Sequence, residues 1–301
     1  MTVVHESSPL ALSYGEQSAT DSGTVAIPVP LLAGRSREVL LPTEGTRSVH
    51  GTYEAQETDD GFAGIAACPL DEGLEVVSHR LYKELFELLH DTGQQAHRLW
   101  HYVPEINGST DGLENYRIFN IGRRRAFDEF FGQQAESLMP AASAVGSPGR
   151  ELVIAFVGGK TRPRFLENPR QTPAYRYPED YGPKAPSFAR AAIAGDQIYI
   201  SGTASISGHE TCHAGDLMGQ WEVTLQNLEA MAAEVGAVNW AGAAQRPGYG
   251  LKVYLRHQRD FDRLWPLMQE SLSATLENTV VVQAAICRAE LDLEIEARFK
   301  S

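Results

Sequence analysis

Five prolines between residues 168 and 190 (Pro169, Pro173, Pro178, Pro183 and Pro186) most constrain how this 301-residue chain can fold. Each lacks a backbone N–H and has a fixed φ, which excludes the stretch NPRQTPAYRYPEDYGPKAPSFAR from helix and from the middle of a sheet. A stiff loop is what remains. It carries Arg170, Tyr175, Arg176, Tyr177, Tyr181 and Arg190. Guanidinium forks and phenol hydroxyls held on a rigid loop suit a small planar ligand bearing carboxylates.

The charge balance agrees. A net charge of −13 argues against a nucleic-acid partner. Residues 160–190 nevertheless hold Lys160, Arg162, Arg164, Arg170, Arg176, Lys184 and Arg190 against only Glu167, Glu179 and Asp180. Such a local basic cluster attracts a small anion. No apolar run is long enough to span a membrane, and residues 1–10 lack a basic start followed by an apolar core, so a cytoplasmic protein is expected. Cys68, Cys212 and Cys287 are odd in number and widely spaced, which reads as reduced thiols.

The periodicity predicts α+β, a mixed sheet with helices packed on one face. In residues 1–60 short strands are expected at 24–28 and 38–41. Ser78 reads as an N-cap ahead of Leu81, Leu85, Leu88 and Leu89, with Gly93 as the stop. A strand at 96–103 and a helix at about 123–138 follow. The order returns later: a helix at 221–235 stopping at Gly236, a strand at 251–256, a helix at 261–273. This repetition suggests an ancient duplication. Strands are also expected at 152–157, 197–201, 279–286 and 291–299. In the last, Leu291, Leu293 and Ile295 face one way and Asp292, Glu294 and Glu296 the other. The small, uncharged stretch 140–149 reads as a flexible boundary between an N-terminal α+β domain (1–145) and a C-terminal one (150–301).

Four groups invite chemistry. His209-Glu210-Thr211-Cys212-His213 has the letters of the zinc-protease signature, which works only on a helix. Gly208 and Gly215 flank it, so a polar loop is the better reading. Alternate carboxylates on a strand usually face water, but Glu294 enclosed in a cleft would hold its proton to near neutral pH and act as an acid. Cys287 matters if it points into the same pocket. In NYRIFNIGRRR, Arg117, Asn120, Gly122, Arg123 and Arg124 read mainly as a solvated face, with one arginine able to reach a ligand.

The segment ENPRQTPAYRYPEDYGPKAPSFARA at 167–191 closely resembles the signature loop of the chorismatases. ISGTASISGHETCHAGD at 200–216 and AELDLEIEA at 289–297 match that family's pattern, and LENYRIFNIGR in the first half is similar. The resemblance implies a C-terminal half of the RidA/YjgF, chorismate-mutase-like fold, with a degenerate copy in the N-terminal half. It implies cleavage of the enolpyruvyl ether of chorismate, releasing pyruvate without metal or organic cofactor. Glu294 is then the general acid and Cys287 a second catalytic group. Arg170, Arg190, Arg123 and Arg256 are expected to clamp two carboxylates, Tyr175 and Tyr181 to hydrogen-bond the substrate, and Ala204 to shape the pocket. In the family a cysteine matching Cys287 accompanies aromatic products, whereas alanine matching Ala204 accompanies hydrolysis. Weighting the cysteine gives 3-hydroxybenzoate as the expected product and a dihydroxycyclohexadiene carboxylate as the alternative. A non-catalytic RidA-like module for small carboxylates and a zinc hydrolase are the competing readings. RidA-like proteins form trimers with clefts between subunits, but an internal duplication supplies a partner surface within one chain, so a monomer is expected.

Overall fold

The computed structural model describes residues 2–4, 9–15 and 23–301, and one arrangement of elements occurs in it twice. The first copy comprises β1 (Thr46–His50), β2 (Tyr53–Thr58), β3 (Gly61–Pro69), α1 (Leu74–Thr92), β4 (Gln95–Pro104), α2 (Asn115–Phe131), β5 (Ala141–Ser147) and β6 (Glu151–Gly159). The second comprises β7 (Arg164–Leu166), β8 (Ala191–Ala194), β9 (Gln197–Thr203), α3 (Leu217–Glu234), β10 (Gly250–Leu255), α4 (Phe261–Leu272), β11 (Thr279–Gln283) and β12 (Leu293–Lys300). In each copy a hairpin leads into a helix and two parallel strands follow. The last strand then inserts antiparallel between the hairpin and the first of those two. Thus β6 lies between β3 and β4, and β12 between β9 and β10. Parallel neighbours need a crossover, and α2 and α4 supply it. Leu99 pairs with Ala142 in the first copy and Leu251 with Thr279 in the second.

The fold is α+β, with helices on one face of each sheet. Leu81 and Leu85 of α1 and Phe119 and Phe127 of α2 pack on Leu99, Val103 and Phe156. Leu228 and Met231 of α3 and Leu264 and Met268 of α4 pack on Val253, Leu293 and Ile295. The helix-free faces meet each other. A third core there joins Tyr102, Val153 and Ala155 to Tyr254, Val280 and Val282, together with Leu10, Leu12 and Tyr14 from the N-terminal segment. The strands are therefore buried on both faces, and Glu294 and Glu296 of β12 lie in a layer between two sheets instead of facing water as alternate strand carboxylates usually do.

Several boundaries differ from expectation. Residues 141–147, read as a flexible link, form β5, which is buried throughout. Its small residues serve close packing: a methyl at Gly146 would come within 2.9 Å of Ala285 Cβ. The strand expected at 152–157 belongs to the first sheet, while Leu31–Gly34 crosses over to pair with β11 in the second. Helix α1 starts before Ser78, whose hydroxyl donates back to the Leu74 carbonyl instead of capping. It does end at Gly93, in the left-handed region at φ 63. Helix α2 begins at Asn115 because a short hairpin (Ser109–Thr110 with Leu113–Glu114) feeds straight into it. Asn115 is tied to the Glu105 carbonyl and the Thr110 hydroxyl. No helix among the described residues is long and apolar enough to cross a membrane.

Candidate active site

A cavity of about 660 Å³ opens where the two copies meet. β5 gives it one wall, through Ala142, Ser143 and Ala144. The end of β9 at Gly202, with Ala204 and Ile206 beyond it, gives another. Glu294 at the start of β12 and the turn 287–290 form the floor, α2 contributes Tyr116 and Arg123, and the proline-rich loop closes over it with Tyr177, Tyr181, Phe188 and Arg190.

Glu294 is 4% exposed. Its carboxyl rests against the Gly202 backbone, where an added Cβ would lie 1.9 Å from Oε1. Burial raises its proton affinity first and the neighbouring Glu296 adds to it; Arg98 and Arg190 oppose both. The balance is a pKa pushed up to about 8. Glu296, two residues on and equally enclosed, goes the other way. Burial works against its charge, but Arg98 and Lys252 outweigh that and hold it below the ordinary carboxylate range. Two carboxyls on one strand are thus driven apart, one kept as an acid and the other as an anion. Cys287 faces the same cavity. Burial and then Glu294 push its thiol up to about 12, so it is a neutral S–H.

Three guanidinium groups converge opposite Glu294. Arg123 is 1% exposed. Its group is set among the rings of Tyr82, Phe119 and Phe188 at 5.6–5.9 Å and donates to the Ser187 carbonyl. Arg190 donates to Tyr177 Oη at 2.7 Å. Arg288 stacks over Tyr181 at 4.3 Å and Tyr177 at 5.2 Å, and donates to Thr211 Oγ1 at 3.1 Å. Each keeps one buried nitrogen without a partner: Nε of Arg123, Nε of Arg190 and Nη2 of Arg288. Orphaned charged donors are costly inside a protein, and the three residues together give the cavity lining a positive charge suited to an anionic ligand.

The cavity therefore brings together Glu294, Cys287, Arg123, Arg190, Tyr181 and Ala204. It does not include the other three expected residues. Arg170 lies on the outer side of α3, bonded to Asn227 and Gln226. Tyr175 faces a separate small hollow beside Glu136 and Glu167, with the Arg176 guanidinium 5.7 Å from its ring. Arg256 gives its donors to the carbonyls of Leu291 and Arg288 and to Asn107, so it braces the turn that presents Cys287 and Arg288. Sequence reading missed Arg288, Tyr177 and Tyr116. Tyr177 stood in the proline-rich loop beside residues that were chosen, whereas Arg288 looked like an ordinary turn residue. His209 and His213 share no helix face. Glu210–Thr211 pairs with Ile206–Ser207 in a small hairpin, and His209 Nδ1 lies 3.2 Å from Tyr181 Oη, bracing that ring.

Comparison with known proteins points one way. The family description "Chorismatase FkbO/Hyg5-like, N-terminal" matches residues 40–158. A 3-hydroxybenzoate synthase of Streptomyces hygroscopicus is 36% identical over 235 residues, spanning 71% of this chain and 66%, just under two thirds, of that protein. A chorismatase of Streptomyces rapamycinicus is 37% identical over 255 residues, 79% of this chain and 74% of the other. A chorismatase crystal structure superposes with a TM-score of 0.82 and 30% identity, covering 97% of this chain and 93% of that one.

Proposed function

This chain belongs to the chorismatase family, and from that premise we propose that it cleaves the enolpyruvyl ether of chorismate to pyruvate and 3-hydroxybenzoate. The observation that carries the reading is a buried Glu294, whose enclosure favours its protonated form, lining one cavity with the guanidinium-bearing Arg123, Arg190 and Arg288. Chorismate is a dianion with two carboxylates on a small frame, and three cations with orphaned donors match it. Arg123 and Arg190 are each held in place by a hydrogen bond and aromatic contacts, so the grip exists before substrate arrives.

Glu294 delivers its proton to the methylene carbon of the enol ether. The ether carbon becomes an oxocarbenium ion, and the new carboxylate of Glu294 stabilises it. The oxygen of the neighbouring ring hydroxyl bonds to the ring carbon that carried the ether as that carbon's ether bond breaks, and the three-carbon unit leaves as pyruvate. The hydroxyl oxygen's original ring bond in the resulting protonated epoxide then opens. Loss of the C–H proton from the carbon that keeps the oxygen gives the 3-hydroxy aromatic ring. Overall the ring loses one proton, the vinyl carbon gains one, and no water is consumed. Cys287, a neutral thiol, accepts the ring proton only as it passes its own to the Glu294 carboxylate, which regenerates the acid. Hydrolysis to a dihydroxycyclohexadiene carboxylate is the second reading, carried by the Ala204 methyl in the cavity wall. Both halves of one chain build the cavity, so we propose a monomer as the working unit.

Incubating purified protein with chorismate, then separating the products by chromatography and assaying pyruvate, tests all of this. Pyruvate with 3-hydroxybenzoate is expected, and Glu294→Gln should lose turnover at least about 1,000-fold while still binding chorismate. Binding without turnover in the wild type would leave a carboxylate-binding module, and full activity in Glu294→Gln removes that residue as the acid.

A further inference from the structure

Beneath Glu294 lies a buried group of charges that the proposed reaction does not use. Glu296 is 5% exposed, accepts from four donors and faces a fifth, cationic group. Oε2 takes Arg98 Nη2 and Ser143 Oγ, each at 2.5 Å, and Tyr254 Oη at 3.0 Å. Oε1 takes Trp100 Nε1 at 2.5 Å and faces Lys252 Nζ at 3.5 Å. Lys252 in turn meets Glu38 Oε2 at 2.5 Å. Two cations, Arg98 and Lys252, therefore stand against two carboxylates, Glu38 and Glu296. The group is neutral without Glu294. Ser143 ties it to the cavity wall, because its oxygen also accepts the Gly202 N–H at 2.9 Å, at the backbone site on which the Glu294 carboxyl rests.

We propose that Glu296 is a positioning residue: saturated with donors and matched to both buried cations, its carboxylate keeps the single proton of the pair on Glu294. This rests on Glu294 being the acid of the proposed reaction. Charged and titratable groups act on Glu294 from several sides. They are Glu296 on its own strand, Arg98 on β4, Arg190 ahead of β8, Cys287 in the preceding turn and Tyr116 on α2. Of these Glu296 is the only one whose negative charge is permanent at neutral pH. Replacing it by the neutral isostere removes that charge and leaves Arg98 without its carboxylate partner, while Lys252 keeps Glu38. Both changes favour ionised Glu294, so the acid form is lost at lower pH.

The test has two arms. In Glu296→Gln the alkaline limb of the kcat/KM profile for chorismate cleavage should move down by about one pH unit or more, a shift that loss of packing alone does not cause. A profile that superimposes on the wild type overturns the inference, and the acid assignment itself stands as long as Glu294→Gln is inactive. Activity retained by Glu294→Gln is instead the failure of the acid assignment. The second arm needs no Glu296 variant. Infrared titration of glutamate-labelled protein, in a Glu167→Gln background because Glu167 also titrates near pH 7, should show one protonated carboxyl at neutral pH that disappears in Glu294→Gln. A band that survives there puts the proton on another carboxyl and overturns the inference.

Discussion

The Glu294 carboxyl lies so close to the chain at Gly202 that a methyl group there would meet Oε1 at 1.9 Å and Ser143 Oγ at 2.9 Å. Glycine is required at this position by contact, since its φ lies outside the left-handed region. Gly202→Ala should push the acid away from the substrate and lower kcat by about 100-fold, with a circular dichroism spectrum like that of the wild type. Unchanged kcat would mean that Glu294 can act from elsewhere. The protonation state gives a separate handle. Glu294 is useful as an acid only while protonated, and burial with Glu296 holds its pKa at about 8. Activity should therefore persist through neutral pH and fall as pH rises through about 8. For an ordinary solvated carboxyl the fall would come near pH 4. A kcat/KM profile already declining between pH 4 and 6 would contradict the enclosed acid.

Helix α2 shows how far an element could be read from its letters. Three consecutive arginines looked like a solvated face, and two of them are one. Arg124 pairs with Asp128, and Arg125 with Glu75 and Glu129, all on the outside. Arg123 turns inward because it lies on the buried stripe of the helix, four residues from Phe119 and from Phe127. That stripe begins in a stretch of eight residues that the expected helix lacked, starting at Asn115. The hairpin that sets this start has no periodic signature, so the first part of the stripe was not legible. β12 was legible in part. Its alternation put Glu294 and Glu296 on one face, as observed, but a single strand's pattern cannot say whether a second sheet covers that face. Arg288 was illegible for a similar reason, since its stacking on Tyr177 and Tyr181 depends on a loop a hundred residues away. The element makes its own prediction. Arg123→Lys loses the fork that the ring cage holds and should raise KM for chorismate about tenfold or more. Arg124→Ala breaks a partly exposed pair and should cost less than about 1 kcal/mol, with KM unchanged. Equal effects in the two variants would remove Arg123 from the substrate grip.

Across the whole molecule, the repeated arrangement leaves one acidic site because the first copy carries apolar residues where the second has carboxylates. Tyr254 pairs with Glu294 and Lys252 with Glu296 in the second sheet. The corresponding pairs in the first are Tyr102 with Val153 and Trp100 with Ala155. Leu10, Leu12 and Tyr14 pack in the same core as Val153 and Ala155, so the N-terminal segment covers that face of the first sheet. The same segment reaches the second sheet through Glu38, which meets Lys252 and accepts from Tyr14 Oη at 2.8 Å. Burial opposes the Glu38 charge, but Lys252 overcomes it and takes the pKa down to about 2. A carboxyl depressed on folding stabilises the native state above its unfolded value, and that contribution is lost as pH falls towards the folded one. Wild-type stability, measured by urea unfolding, should therefore decline between about pH 4.5 and 2. Glu38→Gln leaves Lys252 buried with only the more distant Glu296, and should lose about 3 kcal/mol at neutral pH. It should also show a shallower decline in acid, because the group that titrates is gone. Equal stability of the two proteins at pH 7 would show that the N-terminal strands do not hold the halves together through this pair.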